Sequence, residues 1–274
     1  MTITTAGPDL TAVKAKQQKT WSSGDFAKVA STIVLSSERL ADSAQVRAGS
    51  DVLDVACGSG NATIAAARNA SNAVGVDYVP ALIEVARSRA EVEGLSVDFR
   101  VGDAEDLPAA DDSFDTVLSV FGAMFAPDHY RTASEMSRVA RAGGTVALAS
   151  WTPDGFIGEM FSVITGHVPP PTGVASPLLW GTEDHVADLF GDDAADISST
   201  EQIQPFRYPT AEAFVDFFRT WYGPTLAAFN ALDKAGQSVL YTDLVDLANR
   251  WDIHQDGRGI CIPGSYLESV ITMR

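Results

Sequence analysis

The sequence predicts an α/β protein built on a parallel sheet with helices on both faces. Short apolar segments alternate with longer amphipathic ones between residues 51 and 151. Proline or glycine stands at most of the junctions, as in Asp77-Tyr78-Val79-Pro80. Strands that alternate with helices favour parallel pairing, and ligands of such sheets bind beyond the carboxyl ends of the strands. A chain of 274 residues is long enough to bury one large core.

The predicted elements begin after a polar lead. Trp21 to Leu40 carries apolar residues at helical spacing, which is typical of one or two helices. The alternating region that follows is predicted to contain, in order, strand DVLDVA, a helix from about Asn61, strand NAVGVD, a helix from Pro80 to Glu93, strands SVDFRVGD and SFDTVLSVF, a helix from about His129 to Arg141, and strand GGTVALASW.

Beyond Trp151 the alternation ends. Pro153 to about Asp193 is rich in proline, glycine and aromatic residues and holds one short helical pattern, TEDHVADLF. Ile197 to Tyr208 is predicted to be a strand, followed by the helices AEAFVDFFRTWYGPTLAAF and GQSVLYTDLVDLANRW and a terminal strand, YLESVITMR. We therefore divide the chain into an N-terminal helical segment (1–50), a core (51–151) and a C-terminal segment of the same domain (152–274).

Composition limits the partners and the location of the protein. With 36 acidic and 19 basic side chains the formal charge is −17, which disfavours binding to nucleic acid or to an anionic membrane surface. Cys57 and Cys261 have neither metal-site nor redox spacing. We find no signal-peptide core and no apolar run of the roughly 18 residues that a membrane helix needs. The sequence therefore predicts a cytoplasmic protein without a metal site.

The segment VLDVACGSGNATIA, Val52 to Ala65, suggests a nucleotide ligand. Its turn, Gly58-Ser59-Gly60, separates a buried strand from a helix, and glycine-rich turns in that position commonly cradle nucleotides. On its own a Gly-x-Gly turn is weak evidence, because many buried turns need glycine for a positive φ. Further positions are therefore needed to identify the ligand.

Three carboxylates follow at neighbouring strand ends. Asp77 ends the second strand, where an acid can accept both hydroxyls of a ribose. Asp103 ends the third strand, where its carboxylate can accept from an adenine amino group while the Ala104 amide donates to the ring. Asp54 precedes the turn, where it can brace the loop amides or face an ammonium group.

The turn itself distinguishes between the candidate ligands. Dinucleotide enzymes use a third glycine where this chain has Thr63, and the Gly-Lys-Ser/Thr of a phosphate-gripping loop is missing. The ligand is therefore expected to carry adenine and ribose but no phosphate. S-adenosylmethionine fits, since the helix N-terminus can face its carboxylate. A nicotinamide-dependent oxidoreductase is an alternative that Thr63 and the Asp103-Ala104 pair oppose.

On these residues the sequence resembles the class I S-adenosylmethionine-dependent methyltransferases, in particular the branch similar to the ubiquinone and menaquinone C-methyltransferases and to bacterial small-molecule methyltransferases. The resemblance is strong over about Val52 to Trp151 and thin afterwards. The matching family motifs are the first motif at Asp54 to Gly60, the ribose-binding acid at Asp77, the adenine-contacting pair Asp103-Ala104, the fourth-strand segment Phe114 to Phe121, and a Pro-Gly-Gly turn present as Ala142-Gly143-Gly144.

The resemblance implies a Rossmann-like, doubly wound sheet of seven strands with a reversed last strand. It also implies that residues 1–50 form a helical lid over the cofactor and that an insertion after the fifth strand, Pro153 to about Asp193, lies on the substrate side. The cofactor would be S-adenosylmethionine and the product S-adenosylhomocysteine. The cofactor-binding residues are then predicted to be Trp21, Asp54, Ala56, Gly58, Ser59, Gly60, Asp77, Tyr78, Asp103, Ala104 and Ser119.

Methyl transfer is an in-line displacement that needs alignment of the reactants and exclusion of water, with a base where the nucleophile carries a proton. His129 is the candidate base, weighed against a helix-capping or surface role. Tyr130 and Tyr222 keep hydroxyls that can orient a substrate.

The expected acceptor is a small apolar or aromatic metabolite, of secondary or quinone-like metabolism, methylated on oxygen, nitrogen or carbon. Enzymes that methylate base amines or glutamine resemble one another in an Asn/Asp-Pro-Pro-Tyr/Phe segment, which here is Ser119-Val120-Phe121-Gly122. The alternative is an enzyme of this fold that binds S-adenosylmethionine without transferring its methyl group, such as a cyclase, or a binding protein. A monomer and a homodimer are equally compatible with the sequence.

Overall fold

The computed structural model describes residues 9–254 and 256–274, and in this part of the chain seven strands form one sheet with helices on both faces. The strands are β1 (Asp51–Val55), β2 (Asn72–Asp77), β3 (Asp98–Val101), β4 (Phe114–Val120), β5 (Ala140–Trp151), β6 (Ala194–Tyr208) and β7 (Ile260–Met273). The helices are α1 (Leu10–Trp21), α2 (Phe26–Ala30), α3 (Val34–Ser43), α4 (Asn61–Arg68), α5 (Pro80–Val92), α6 (His129–Val139), α7 (Phe156–His167), α8 (Glu183–Phe190), α9 (Ala211–Trp221), α10 (Gly223–Asn230) and α11 (Lys234–Trp251).

The strands lie in the order β3-β2-β1-β4-β5-β7-β6. β1 pairs in parallel with β2 and β4, β2 with β3, and β4 with β5, whereas β7 runs antiparallel to both β5 and β6. The predicted seven-stranded, doubly wound sheet with a reversed last strand is therefore confirmed. The chain changes direction across the sheet between β1 and β4, so the carboxyl ends of these two strands border a crevice.

The central strands are buried on both faces, as their continuous apolar runs predict. Val52 and Leu53 of β1 and Val117 and Leu118 of β4 have no exposed surface. Such strands fix the positions of the loops at their carboxyl ends, because shifting a fully buried strand would expose apolar side chains. In the described part of the chain, no helix combines the length and apolar character that crossing a membrane requires.

The N-terminal segment differs from the prediction. Residues 10–21, which the sequence indicated as a polar lead, form α1, and the side chain of Asp9 caps this helix by accepting the Ala12 amide at 3.1 Å. The predicted helical region Trp21 to Leu40 holds α2 and most of α3. α1 has no buried residue and therefore no apolar stripe that periodicity could detect. Residues 1–8 of the predicted lid lie outside the described residues.

Two further differences occur after β5. The segment Pro153 to Asp193 contains α7 in addition to the predicted α8, and α7 is apolar along most of its length, which obscures its period. The predicted aromatic helix is divided into α9 and α10 at Tyr222. Pro224 explains the break, because it has no amide hydrogen to continue α9.

Candidate functional site

A cleft lies at the carboxyl ends of β1 to β4 and is bordered by α1. Its empty space amounts to about 920 Å³, part of which is open to solvent. All of the predicted cofactor-binding residues line it except Gly60 and Ser119. Those that line the cleft are Trp21, Asp54, Ala56, Gly58, Ser59, Asp77, Tyr78, Asp103 and Ala104.

The ends of β1 and β4 meet in a strained contact at the crevice. Ala56, just after β1, and Phe121, just after β4, have positive φ values of 54° and 53° without being glycine. A Cβ atom on Gly122 would lie 2.4 Å from the carbonyl oxygen of Ala56. All three residues line the cleft. Backbone strain of this kind is concentrated at ligand sites, where the surrounding structure holds it in place.

Asp77 ties the glycine turn to the end of β2. Its Oδ2 accepts the Gly58 amide at 2.9 Å and its Oδ1 accepts the Val79 amide at 2.8 Å. Burial raises the pKa of Asp77 to about 6, although the two amides act to lower it. Gly58 and Gly60 have φ values of 54° and 85°, which explains why the turn uses glycine. Gly60 packs against the Phe99 ring and caps α4 instead of lining the cleft.

Asp54 braces the start of α4. Its Oδ2 accepts both the amide of Thr63 at 2.8 Å and the Thr63 hydroxyl at 2.6 Å. Burial raises the pKa of Asp54 to about 7. Among residues 9–254 and 256–274, no group donates to Oδ1. Of its two predicted roles, the structure therefore shows the bracing of the helix and leaves one oxygen for a ligand. Thr63, which replaces the third glycine of a dinucleotide motif, is the bracing partner.

Asp103 connects β3 to α1. Its Oδ1 accepts the Glu105 amide at 2.9 Å, while Oδ2 lies 2.6 Å from the ammonium of Lys14, which also lies 2.8 Å from Glu105 Oε2. The Gln17 side chain, on the same helix, donates to the Phe125 carbonyl at 3.1 Å. Lys14 and Gln17 line the cleft, and the sequence analysis missed both because it did not predict α1.

The structure does not bring Ser119, His129 and Tyr130 into the cleft. Ser119 is buried under it, where its hydroxyl donates to the Val55 carbonyl at 2.8 Å and accepts the Ala123 amide at 2.9 Å. The hydroxyl is thus engaged by the protein backbone, and a contact of Ser119 with the cofactor through its backbone carbonyl stays a prediction.

His129 and Tyr130 face α8 rather than the cleft. His129 is buried, its Nδ1 lies 3.0 Å from Nε2 of His185, and burial lowers its pKa to about 4. Tyr130 is exposed and its hydroxyl bonds to Asp188. The catalytic and substrate-contacting positions predicted for these two residues are corrected accordingly, since both side chains serve contacts between α6 and α8.

A second cavity, with about 430 Å³ of empty space that is partly open to solvent, adjoins the cleft, and we call it the apolar chamber. Tyr222, the remaining predicted substrate residue, lines it. The helices and strands that contribute to it are α1, α2, β5, α7, β6 and α9, so the segment after β5 forms part of its wall. That this segment lies on the substrate side stays a prediction. The residues that line both the cleft and the chamber are Trp21, Phe26, Ile33, Phe121 and Phe125.

Comparison with known proteins points to the same part of the chain. Residues 53–148 match a family model described as a methyltransferase domain. An uncharacterised protein of Mycobacterium tuberculosis is 37% identical over 256 residues, which cover 92% of this chain and 93% of that protein. A demethylmenaquinone methyltransferase of Deinococcus radiodurans is 38% identical over 126 residues, which cover 44% of this chain and 52% of that protein. The YcgJ protein of Bacillus subtilis is similar in fold, with a TM-score of 0.60 at 20% identity over 87% of this chain and 98% of that one.

Proposed function

Because this chain belongs to the class I S-adenosylmethionine-dependent methyltransferases, we propose that it methylates a small apolar or aromatic acceptor. S-adenosylmethionine is the cofactor of the family, and when bound it supplies an electrophilic methyl group on a sulfonium. The observation that carries the proposal is the junction of a cleft that contains carboxylates with a cavity that contains none among the residues described. The cleft is lined by three carboxylates, and the chamber beside it is lined almost entirely by hydrocarbon.

The cleft residues suit a cationic nucleoside. Asp77 keeps lone pairs free for ribose hydroxyls after accepting two amides. Asp103 and Ala104 line the cleft, which supports their proposed pairing with adenine, and Asp54 Oδ1 can accept from an ammonium group. Against these three carboxylates, Lys14 is the one cationic side chain among the described residues that line the cleft. The excess of negative charge favours a ligand with net positive charge.

The junction residues position the reaction and exclude water. Trp21 makes edge-on contacts with Phe26, Phe125 and Tyr222 at ring-centroid distances of 5.6, 5.0 and 5.6 Å. Aromatic faces attract a sulfonium through the cation–π effect. They also keep solvent from the reacting atoms, so that alignment and desolvation supply most of the catalysis. Tyr222 lines the chamber, which supports a role for its hydroxyl in orienting the acceptor.

Calorimetric titration of S-adenosylmethionine, S-adenosylhomocysteine and NADH into the purified protein tests the cofactor site. We expect micromolar binding of the first two compounds and none of NADH. Asp77→Asn should weaken binding at least about tenfold, because it removes a charged acceptor from the ribose hydroxyls. Asp184→Asn, an exposed position on α8, is the matched control and should bind like the parent.

Two results would count against the proposal. Binding of NADH alone would assign the cleft to a dinucleotide, and unchanged binding in Asp77→Asn would remove the ribose site from β2. Transfer itself is measured as release of S-adenosylhomocysteine with an apolar acceptor. Tight binding without release across a broad acceptor panel would favour the non-methylating alternative.

A further inference from the structure

We infer that the acceptor carries its own acidic group, a thiol, a phenol or an enol, and that this group is ionised before it enters the chamber. The inference rests on the proposed function and specifies the chemical class of the acceptor. Its basis is the placement of ionisable side chains around the two cavities. A nucleophile that had to lose its proton inside the site would need a protein base there.

Among the residues that the structure describes, none at the junction between the cavities is such a base. A methyl group that moves from the cleft to the chamber must pass between the side chains that line both, Trp21, Phe26, Ile33, Phe121 and Phe125. All five are hydrocarbon or aromatic, and none can accept a proton near neutral pH. The remaining described side chains of the chamber are also apolar apart from the indole of Trp151 and the phenol of Tyr222.

Asp54, Tyr222 and His129 are unsuited to this role. Asp54 lines the cleft but not the chamber, and it is held by two hydrogen bonds from Thr63. Tyr222 is in the chamber, where burial raises its pKa, so it stays protonated and acts as a donor. His129 lies outside both cavities and pairs with His185. Within the described chain, the chamber thus contains hydrogen-bond donors but no acceptor of a proton.

An acceptor that is already ionised needs no base. Its proton goes to solvent before entry, its lone pair then forms the bond to the methyl carbon, and the S–CH₃ bond breaks to leave a neutral sulfide. An anion and a cation become two neutral products, and a medium of low dielectric favours that charge cancellation. A compact alkoxide would lose too much solvation on entering an apolar chamber. Charge on sulfur, or delocalised over a ring or an enol, costs less and can accept one hydrogen bond from Tyr222.

Three candidate acceptors that share the naphthalene ring system test the inference. 2-Naphthalenethiol and 2-naphthol are acidic to different degrees, and 2-naphthalenemethanol is not acidic. Methyl transfer is followed by mass spectrometry from pH 5.5 to pH 10 at saturating S-adenosylmethionine, with cofactor binding measured at each pH. We expect kcat/KM to rise to a plateau whose midpoint moves with the probe's own pKa, and we expect no methylation of the alcohol.

The opposite results are equally informative. A midpoint that stays fixed from thiol to naphthol, or methylation of the alcohol, would reveal a protein base and overturn the inference. Binding of S-adenosylmethionine without methylation of either acidic probe would show that the acceptor class is wrong. Failure to bind S-adenosylmethionine at all would instead remove the proposed function, so the two failures are distinguished.

The variant Tyr222→Phe tests whether the Tyr222 hydroxyl donates a hydrogen bond to the ionised acceptor. For the two acidic probes we expect the plateau kcat/KM to fall about tenfold, since one hydrogen bond to an anion is lost. Naphthalene, which cannot accept that bond, should inhibit the variant and the parent equally. Tyr208→Phe is the control, because Tyr208 has a buried hydroxyl without a partner among the described residues and lines neither cavity. An unchanged plateau in Tyr222→Phe would remove Tyr222 from the site.

Discussion

The carboxyl group of Asp54 is buried, and ionising it lowers the stability of the ligand-free protein. Its pKa is raised from an ordinary value of 3.8 to about 7, because burial disfavours the ionised form. The folded state therefore binds a proton that the unfolded state has released. Stability from this group is complete below pH 4 and is lost as the pH rises toward 7. A bound cation would reverse the penalty by favouring the carboxylate.

The variant Asp54→Asn should stabilise the ligand-free protein near neutral pH and weaken the binding of S-adenosylmethionine. The amide oxygen can accept both bonds from Thr63, since these reach a single oxygen in the parent. The free energy of unfolding of the variant, relative to the parent, should rise by about 2 kcal/mol between pH 5 and pH 8 in the absence of ligand. Binding of S-adenosylmethionine should weaken, because an NH₂ group would face the ammonium. Urea titrations at the two pH values measure the stability change, and a gap that is constant with pH would contradict the assigned ionisation.

At the scale of elements, α1 differs from every other helix that borders the site. It buries no residue, and polar contacts hold it over the strand ends through Lys14, Gln17 and Gln18. Gln18 donates to the Tyr78 carbonyl at 2.5 Å. These three contacts are part-buried, and the helix is otherwise held mainly by the aromatic contacts of Trp21 at its end. A helix without fully buried residues opens at low cost compared with the core. α1 can thus move to admit a ligand while the sheet remains fixed.

Lys14→Gln should loosen α1 without loss of the fold. We expect both association and dissociation of S-adenosylmethionine to become faster, because the ion pair to Asp103 and Glu105 no longer closes the cleft. Amides of residues 10–21 should exchange faster with deuterium, and the melting temperature should stay within about 1 °C of the parent. Stopped-flow tryptophan fluorescence and hydrogen exchange provide the readouts. Lys16→Gln, on an exposed face of the same helix, is the control. Slower binding in Lys14→Gln would show that the ion pair does not restrict entry.

The elements also explain how much of the site the sequence could predict. β1, β2, β4 and β5 are predictable because buried strands appear in the sequence as apolar runs, and Asp77 is predictable because it ends one of them. The short β3 has one buried residue, Phe99, so β3 and Asp103 are predictable only from the alternation of strands and helices. Lys14 is not, since α1 has no apolar period. The apolar chamber is not predictable either, because helical and strand residues from both ends of the chain converge on it. Aromatic residues spaced for a helix look the same in the sequence whether they fill a core or line a cavity.

At the scale of the whole molecule, the formal charge of −17 acts on every ligand that approaches the cleft. S-adenosylmethionine has a net positive charge near neutral pH, whereas S-adenosylhomocysteine is neutral overall. The negative field of the protein therefore raises the association rate of S-adenosylmethionine and leaves the association rate of S-adenosylhomocysteine almost unchanged. The carboxylates of the cleft extend the same preference to the bound state, which favours release of the product after transfer.

The salt dependence of association follows from this field. Between 10 mM and 500 mM NaCl the Debye length falls from about 30 Å to about 4 Å, so the long-range attraction is screened. We expect the association rate constant of S-adenosylmethionine to fall about threefold over this range and that of S-adenosylhomocysteine to change by less than about 1.5-fold. Stopped-flow fluorescence measures both, and S-adenosylhomocysteine serves as the matched control because it shares the nucleoside. An equal response of the two ligands would show that local contacts in the cleft, rather than the charge of the whole protein, set the rate of encounter.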